Sequence, residues 1–230
     1  MEIIVNGVRY KEISGQMQVL GLVPGICPTE LNIPDIVDGK PVTSIFPSAF
    51  KGASFTQVWL PSTIAIICSQ SFENCKKLKE VSIGGAGEFD DVLHIGENAF
   101  KDCTNLVNFD AWNCIVNLDS YAFANCKKLE FLDMSIKQLS SHVFHNCQSV
   151  VDIGLANNAV LDDDCLEGCV LQKICTIGDA TIPKKILDYL FKTNTKVYCT
   201  RNSNLLELIY DGYPIELYSE EEEDILLSPL

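Results

Sequence analysis

Three stretches of the chain repeat one pattern: HIGENAFKDC at residues 94–103, NLDSYAFANC at 117–126 and QLSSHVFHNC at 138–147. The pattern extends to six copies, and an aromatic residue, or Leu in the last copy, recurs at spacings of 22, 28, 23, 21 and 22 residues. These residues are Phe50, Phe72, Phe100, Phe123, Phe144 and Leu166. Units of this size cannot bury an apolar face alone, so they stack on one another. The sequence therefore predicts a solenoid.

Other columns keep the same register. Five residues before the Phe column each copy has Ile or Leu, and three residues after it five of the six copies have Cys. An alternating apolar pair follows, such as Val81 and Ile83, which is typical of a half-buried strand. The residue before the Cys column is Gly, Asn or Asp, types that tolerate a left-handed conformation. Each unit is thus predicted to be a strand, a turn, a short helical turn around the Phe, and a sharp reversal.

This pattern, and above all the stretch LNIPDIVDGKPVTSIFPSAF at residues 31–50, resembles the BspA-like, Treponema-type class of leucine-rich repeat proteins. The resemblance covers about residues 29–200. It implies a β-rich α/β solenoid, wound as a right-handed leucine-rich-repeat superhelix. Bacterial and protist members of this class are often surface or adhesion proteins that bind other proteins. The resemblance implies no catalytic residue.

The ends of a repeat stack need caps, and the sequence predicts one at each end. Residues 1–28 are expected to form an N-terminal β-hairpin cap around Asn6 and Gly7, a strong hairpin signal. About six to seven repeats fill 29–200, and a helical cap follows at 201–217, opened by Asn204 and Glu207. The acidic tail at 218–230 is predicted to be disordered, and the glycine-rich segment at 84–92 to be a surface loop.

Composition narrows the function. The chain has 230 residues, 47% of them hydrophobic, with a formal net charge of −14. That apolar content argues against a disordered chain, and the acidic balance argues against nucleic acid as a partner. No apolar run reaches the length of a membrane span, and no signal peptide is visible. We expect a cytoplasmic protein, with the cell surface as the alternative that the family resemblance implies.

The candidate chemical groups have simpler explanations. Eleven cysteines are present, and those of the recurring column are expected to pack as small hydrophobic side chains, with disulfides or metal binding as the alternatives. His142, His145 and Cys147 form an HxxHxC string that resembles a metal site, but the two histidines are predicted to be an exposed pair. No nucleophile elbow or phosphate-binding loop is present. We expect no enzyme activity, no cofactor and no metal.

The remaining candidate is the outward side of the repeat strands, because solenoids use such sheets as extended binding surfaces. The predicted partner-binding residues are Trp59, Glu80, Asp110, Phe131, Asp133 and Asp152. Asp110 and Asp133 are expected to lie side by side, next to Phe131 and Asp152, and to bind a basic segment of another protein or, as an alternative, a divalent cation. A purely solvated acidic surface is the other interpretation.

These observations predict a non-enzymatic protein-interaction module. The alternatives are a cell-surface adhesin or structural repeat protein of the BspA-like type and, third, a metal-dependent protein that uses His142 and His145. The sequence does not fix the oligomeric state.

Overall fold

The structure is a computed structural model that describes residues 2–84, 92–219 and 222. The chain forms a β-solenoid of about eight turns with few helices. The strands, in chain order, are β1 (Glu2–Val5), β2 (Val8–Ile13), β3 (Gln16–Leu22), β4 (Glu30–Asn32), β5 (Ile36–Val37), β6 (Lys40–Ile45), β7 (Gln57–Leu60), β8 (Ile66–Ile67), β9 (Glu80–Ile83), β10 (Val92–Ile95), β11 (Asn108–Leu118), β12 (Phe131–Leu139), β13 (Asp152–Leu161), β14 (Lys173–Thr176), β15 (Ala180–Thr181), β16 (Lys196–Cys199) and β17 (Ile215–Leu217). The helices are α1 (Lys184–Lys192) and α2 (Glu207–Tyr210), and a 3-10 turn at Asn204–Leu206 precedes α2.

Each repeat contributes two strand segments rather than the single strand that the sequence predicted. One parallel ladder runs through β4, β7, β9, the first part of β11, β12, β13, β14, β16 and β17. A second parallel ladder runs through β3, β6, β8, β10, the later parts of β11, β12 and β13, and β15. The second strand escaped prediction because it is as short as two residues, Ile66–Ile67, which is too short to show alternation.

The Phe column forms the centre of the core. The ring centroids of Phe72 and Phe100 are 5.0 Å apart, and those of Phe100 and Phe123 are 5.2 Å apart, with ring planes within 6° of parallel. The predicted helical turn around each Phe is wrong. These segments are series of hydrogen-bonded turns, such as the one closed by the Cys75 amide on the Phe72 carbonyl at 3.2 Å. In the described part of the chain, the helical elements are α1, α2 and the 3-10 turn, and Glu222 is also helical.

The predicted left-handed positions are confirmed. Asn74, Asp102, Asn125 and Asn146 have φ angles between 59° and 63°. Their side chains also link repeats, because Asn125 Nδ2 donates to Asp102 Oδ1 at 2.7 Å and Asn146 Nδ2 donates to Asn125 Oδ1 at 2.9 Å. A second left-handed column lies two residues before each Phe and was not predicted. Its members are Ser48, Gln70, Asn98, Tyr121 and His142.

The column cysteines are free and buried, as the packing interpretation predicted. Four of the five thiols also donate a hydrogen bond to the Phe carbonyl of the preceding repeat, with the sulfur 3.1 Å from the oxygen. The donors are Cys75, Cys103, Cys126 and Cys147. The sequence reasoning missed this bond, which gives the column a reason to prefer Cys over Ala. Burial also raises the pKa of the Cys169 thiol to about 12, so the thiol form dominates at neutral pH.

The N-terminal segment forms an antiparallel hairpin, in which Asn6 and Gly7 form the turn between β1 and β2 with positive φ angles. A second hairpin, with Ser14 and Gly15 at its turn, joins β2 to β3. Whether residues 1–28 act as a cap stays a prediction. The loop expectation falls on residues 85–91 and most of the tail expectation on 220, 221 and 223–230, which lie outside the described residues.

Two details near the C-terminus correct the sequence reasoning. Helix α1 interrupts the predicted repeat region, and its Ile186, Leu187 and Leu190 are buried. The predicted helix N-cap residue, Asn204, is also wrong: Ser203 is the N-cap, and its side chain accepts a hydrogen bond from the Leu205 amide. Asn204 instead bonds to the backbone of Ala180.

Candidate functional site

The outward side chains of the first ladder form one continuous surface, which we call the outer face. It carries the residues that alternate with the buried core pairs: Glu30 and Asn32, Gln57 and Trp59, Glu80 and Ser82, Asn108 and Asp110, Phe131 and Asp133, Asp152 and Gly154, Lys173 and Cys175, and Lys196 and Tyr198. The alternation follows from strand geometry, in which successive side chains point to opposite sides. Phe131 is 57% exposed and Trp59 is 37% exposed. The face therefore presents large aromatic groups to solvent.

The predicted carboxylate pair lies in register. Asp110 on β11 pairs with Asp133 on β12, and Asn108 pairs with Phe131 two residues earlier. Partial burial, and then the neighbouring Asp110 carboxylate, raise the pKa of the Asp133 carboxyl above its usual value. An arriving cation relieves this repulsion, so the pair is suited to a positively charged group.

A cleft of about 470 Å³ opens on the outer face across β11, β12 and β13. Asp110, Phe131, Asp133 and Asp152 line it, together with Asn108 and Glu130. Four of the six predicted partner-binding residues thus meet in one concavity. The arrangement can surround a cationic group with carboxylate oxygens and offer it an aromatic ring.

The other two predicted residues do not line this cleft. Trp59 lies on β7, beside Ser82 of β9, and Glu80 accepts a hydrogen bond from Gln57 Nε2 at 2.6 Å. The sequence reasoning missed Glu130, which precedes the strand, and Trp112, an exposed side chain whose backbone amide donates to Asp110 Oδ1 at 3.1 Å. Trp112 follows a buried alanine by one residue, a pattern that could have revealed it.

The basic end of the outer face is internally paired. Lys173 on β14 is in register with Asp152, and its Nζ lies 5.0 Å from the ring centroid of Tyr198. Lys196 Nζ is 3.3 Å from Glu216 Oε1. The cleft region therefore keeps its net acidic character.

The two histidines are half-buried rather than exposed, which corrects the sequence expectation. His142 stacks on Tyr121 of the preceding repeat, with centroids 5.0 Å apart. Its Nδ1 lies 3.5 Å from Asp164 Oδ2 and its Nε2 lies 3.0 Å from Glu167 Oε2. Of the described residues, His142, Asp164 and Glu167 are those that could hold a metal, with ligand atoms within 4.8 Å of one another. His145 is not part of this group, so the predicted histidine pair is not a joint ligand set.

In the part of the chain that the structure describes, no helix is both long and apolar enough to cross a membrane.

A sequence model of the BspA type leucine rich repeat region matches six copies, over residues 43–172 and 88–198. No curated protein matches the sequence.

Three solved structures show the degree of similarity. A leucine rich cell surface protein from Faecalibacterium prausnitzii is 21% identical, with a TM-score of 0.58 over 87% of this chain and 51% of its own. A leucine-rich repeat protein from Eubacterium ventriosum is 17% identical, with a TM-score of 0.52 over 80% and 50%. The leucine-rich repeat protein of T. pallidum is 18% identical, with a TM-score of 0.45 over 94% and 98%. The chain thus spans about half the length of the first two proteins, with which it shares a fold.

Proposed function

This chain belongs to the BspA-type leucine-rich repeat proteins, and we propose that it is a non-enzymatic interaction module that binds a protein partner through its outer face. The observation that carries the proposal is the cleft lined by Asp110, Phe131, Asp133 and Asp152. Solubility alone would explain the carboxylates of this surface, but it does not explain an exposed Phe side chain in a concavity. Exposed aromatic side chains are enriched at protein contact sites, where they become buried.

The charge of the cleft indicates the chemistry of the partner. Carboxylates from β11, β12 and β13 gather on its rim, and the whole chain carries a net charge of −14. Nucleic acid and anionic lipid would be repelled by such a surface, whereas a segment rich in Arg or Lys would be attracted. The proposed partner is therefore a protein with an exposed basic segment.

The experiment is a pull-down from a lysate of the source cell, with the intact chain and two variants run in parallel. The first variant, Asp110→Asn/Asp133→Asn, removes the registered pair. The control, Glu97→Gln/Asp119→Asn, makes the same change in net charge at exposed residues on the turns. A specific partner should be retained by the wild type and the control, lost by the first variant, and released at about 0.5 M salt because screening weakens contacts between exposed charges.

Equal recovery of every partner on all three baits would contradict the proposal. A partner that is lost on both variants to the same extent would show that only net charge matters. In either case the working surface would have to be sought outside the outer face.

A cell-surface adhesin is the alternative, and one observation favours it. The F. prausnitzii protein that shares this fold is described as a cell surface protein. Protease treatment of intact source cells distinguishes the two settings, because a surface protein is digested and a cytoplasmic one is protected. The outer face would be the contact surface in both.

A further inference from the structure

The cleft lies where backbone hydrogen bonds that join the other repeats are missing. At four junctions two successive amides donate to one carbonyl of the preceding repeat, and the equivalent carbonyls of Thr29 and Gln172 each accept one such bond. Val107 and Asn108 donate to Lys79, and Glu130 and Phe131 donate to Val107, at 2.8 to 3.1 Å. The same pair of bonds recurs at Thr56 and at Val151. The pattern therefore predicts bonds from the Val151 and Asp152 amides to the Glu130 carbonyl.

Those two bonds are absent, although all three residues belong to the described part of the chain. Strands β12 and β13 begin to pair only at Ser135 and Gly154, whereas β11 and β12 already pair at Asn108 and Phe131. The sheet is thus open over the first residues of this one junction. The opening leaves the Glu130 carbonyl as an additional acceptor beside the cleft.

The opening also exposes part of the core. Leu132 occupies the inner column and is only half-buried, and it lines the cleft. Its counterparts in the other repeats are at most 3% exposed: Leu31, Val58, Val81, Phe109, Ile153, Ile174 and Val197. The cleft therefore has an apolar floor beneath an acidic rim.

The apolar floor, the exposed aromatic ring and the acidic rim of the cleft together suit an arginine side chain. Arginine has an apolar stem that packs on hydrocarbon, a planar head that stacks on aromatic rings, and five N–H donors for carboxylate oxygens. Leu132 offers the floor, Phe131 the ring, and Asp110, Asp133 and Asp152 the acceptors. Lysine has a compact ammonium head with three donors and cannot stack in this way.

We infer that the cleft is a pocket for one arginine side chain of the basic segment. This inference rests on the proposed function and identifies the partner residue that the outer face binds. The elevated pKa of Asp133, which burial and the neighbouring Asp110 cause, is consistent with a carboxylate that gains from a cationic neighbour. The bound arginine remains part of the partner protein, and it is the residue of the basic segment that anchors the partner in the cleft.

The test is an NMR titration of the full chain with N-acetyl-arginine amide, N-acetyl-lysine amide and N-acetyl-citrulline amide. The Leu132 methyl signals and the Val151 and Asp152 amide signals report on the cleft. The arginine compound should shift these signals and saturate them, with an affinity about fivefold or more above that of the lysine compound, because only the guanidinium supplies a planar fork. Citrulline keeps the shape without the charge and should not saturate the signals.

Two variants complete the test. Asp133→Asn should weaken binding of the arginine compound severalfold, while Glu97→Gln/Asp119→Asn should leave it unchanged. Retained amide spectra show that both variants remain folded.

Equal affinity for arginine and lysine compounds, shifts located elsewhere, or a lack of saturation would each overturn the arginine pocket. These outcomes are separable from failure of the proposed function. If the pull-down partner is lost on Asp110→Asn/Asp133→Asn while the two cationic compounds bind alike, the outer face binds basic segments without selecting arginine. If the partner is insensitive to that variant, the proposed function itself is wrong.

Discussion

Replacing Phe123 by alanine is the simplest test of which residues lie in the core and which lie on the outer face. Phe123 is fully buried, and its ring stacks between Phe100 at 5.2 Å and Phe144 at 5.9 Å. Phe109 meets its edge at 5.1 Å with an interplanar angle of 81°. The substitution therefore removes one ring from the middle of a stack and leaves a cavity that neighbouring repeats cannot readily fill.

The expected cost follows from this environment. Truncation of a buried Phe to Ala destabilises proteins by about 3 to 5 kcal/mol, through lost burial and the cavity left behind. Phe123 also loses three aromatic contacts, which places it toward the upper end of that range. Phe131→Ala is the matched control, since it removes the same atoms from a side chain that is 57% exposed, and it should cost less than about 1 kcal/mol.

Urea unfolding followed by circular dichroism measures both variants. We expect a large drop in the midpoint for Phe123→Ala at an unchanged slope, and a midpoint near the wild-type value for Phe131→Ala. Equal destabilisation by the two substitutions would refute the assignment of the Phe column to the core and of Phe131 to the outer face.

Three further predictions follow from the same contacts. Under native alkylation, buried Cys103 and Cys126 should stay unmodified until the protein unfolds, while exposed Cys27 reacts. The reason is that burial raises the pKa of the Cys103 and Cys126 thiols. A disulfide or early modification at Cys103 or Cys126, detected by mass spectrometry, would contradict this prediction. The pKa of Asp133 in the folded protein lies above its usual 3.8, so ionisation of this carboxyl lowers the free energy of unfolding as pH rises. In urea unfolding, Asp133→Asn should therefore match or exceed the wild-type stability at pH 7, and this advantage should vanish on acidification towards pH 3.8. A variant that is less stable than the wild type at pH 7 would contradict this prediction. Asn125→Ala should lower the free energy of unfolding by about 1 to 3 kcal/mol, measured by urea unfolding, and Asn125→Gly should lower it less. Both variants lose the side-chain hydrogen bonds to Asp102 and Asn146, but only alanine is strained at the left-handed φ of 63°. Equal losses would indicate that the side-chain hydrogen bonds alone matter.

The sequence predicts much of this fold because the repeat averages out local ambiguity. A single Phe or Cys indicates little, but the same residue at five of six equivalent positions identifies a column that must face inward. The repeat spacing also predicts that Asp110 lies beside Asp133, because equal steps per repeat put equivalent residues in register. Left-handed Asn74 and Asn146 followed from residue type alone.

The features that escaped prediction depend on contacts between repeats or on short segments. The strand Ile66–Ile67 has too few residues to show a period, and the thiol hydrogen bonds join atoms of different repeats. Helix α1 did carry a signal, because Pro183 precedes a segment with apolar residues at helical spacing. The opening between β12 and β13 has no local signature in the sequence, because Glu130 and Val151 look like ordinary loop residues and the opening is visible only in the contacts between the two repeats.

The central claim is that the outer face around Phe131 is the working surface, and photo-cross-linking tests it directly. Phe131→p-benzoylphenylalanine places a reactive group beside the cleft, and Phe191→p-benzoylphenylalanine places the same group on α1, at a position that is also 57% exposed. On irradiation in source-cell lysate, the account predicts a discrete cross-linked protein, rich in basic segments, from position 131 and not from position 191. The same product from both positions, or a product from position 191 alone, would contradict it.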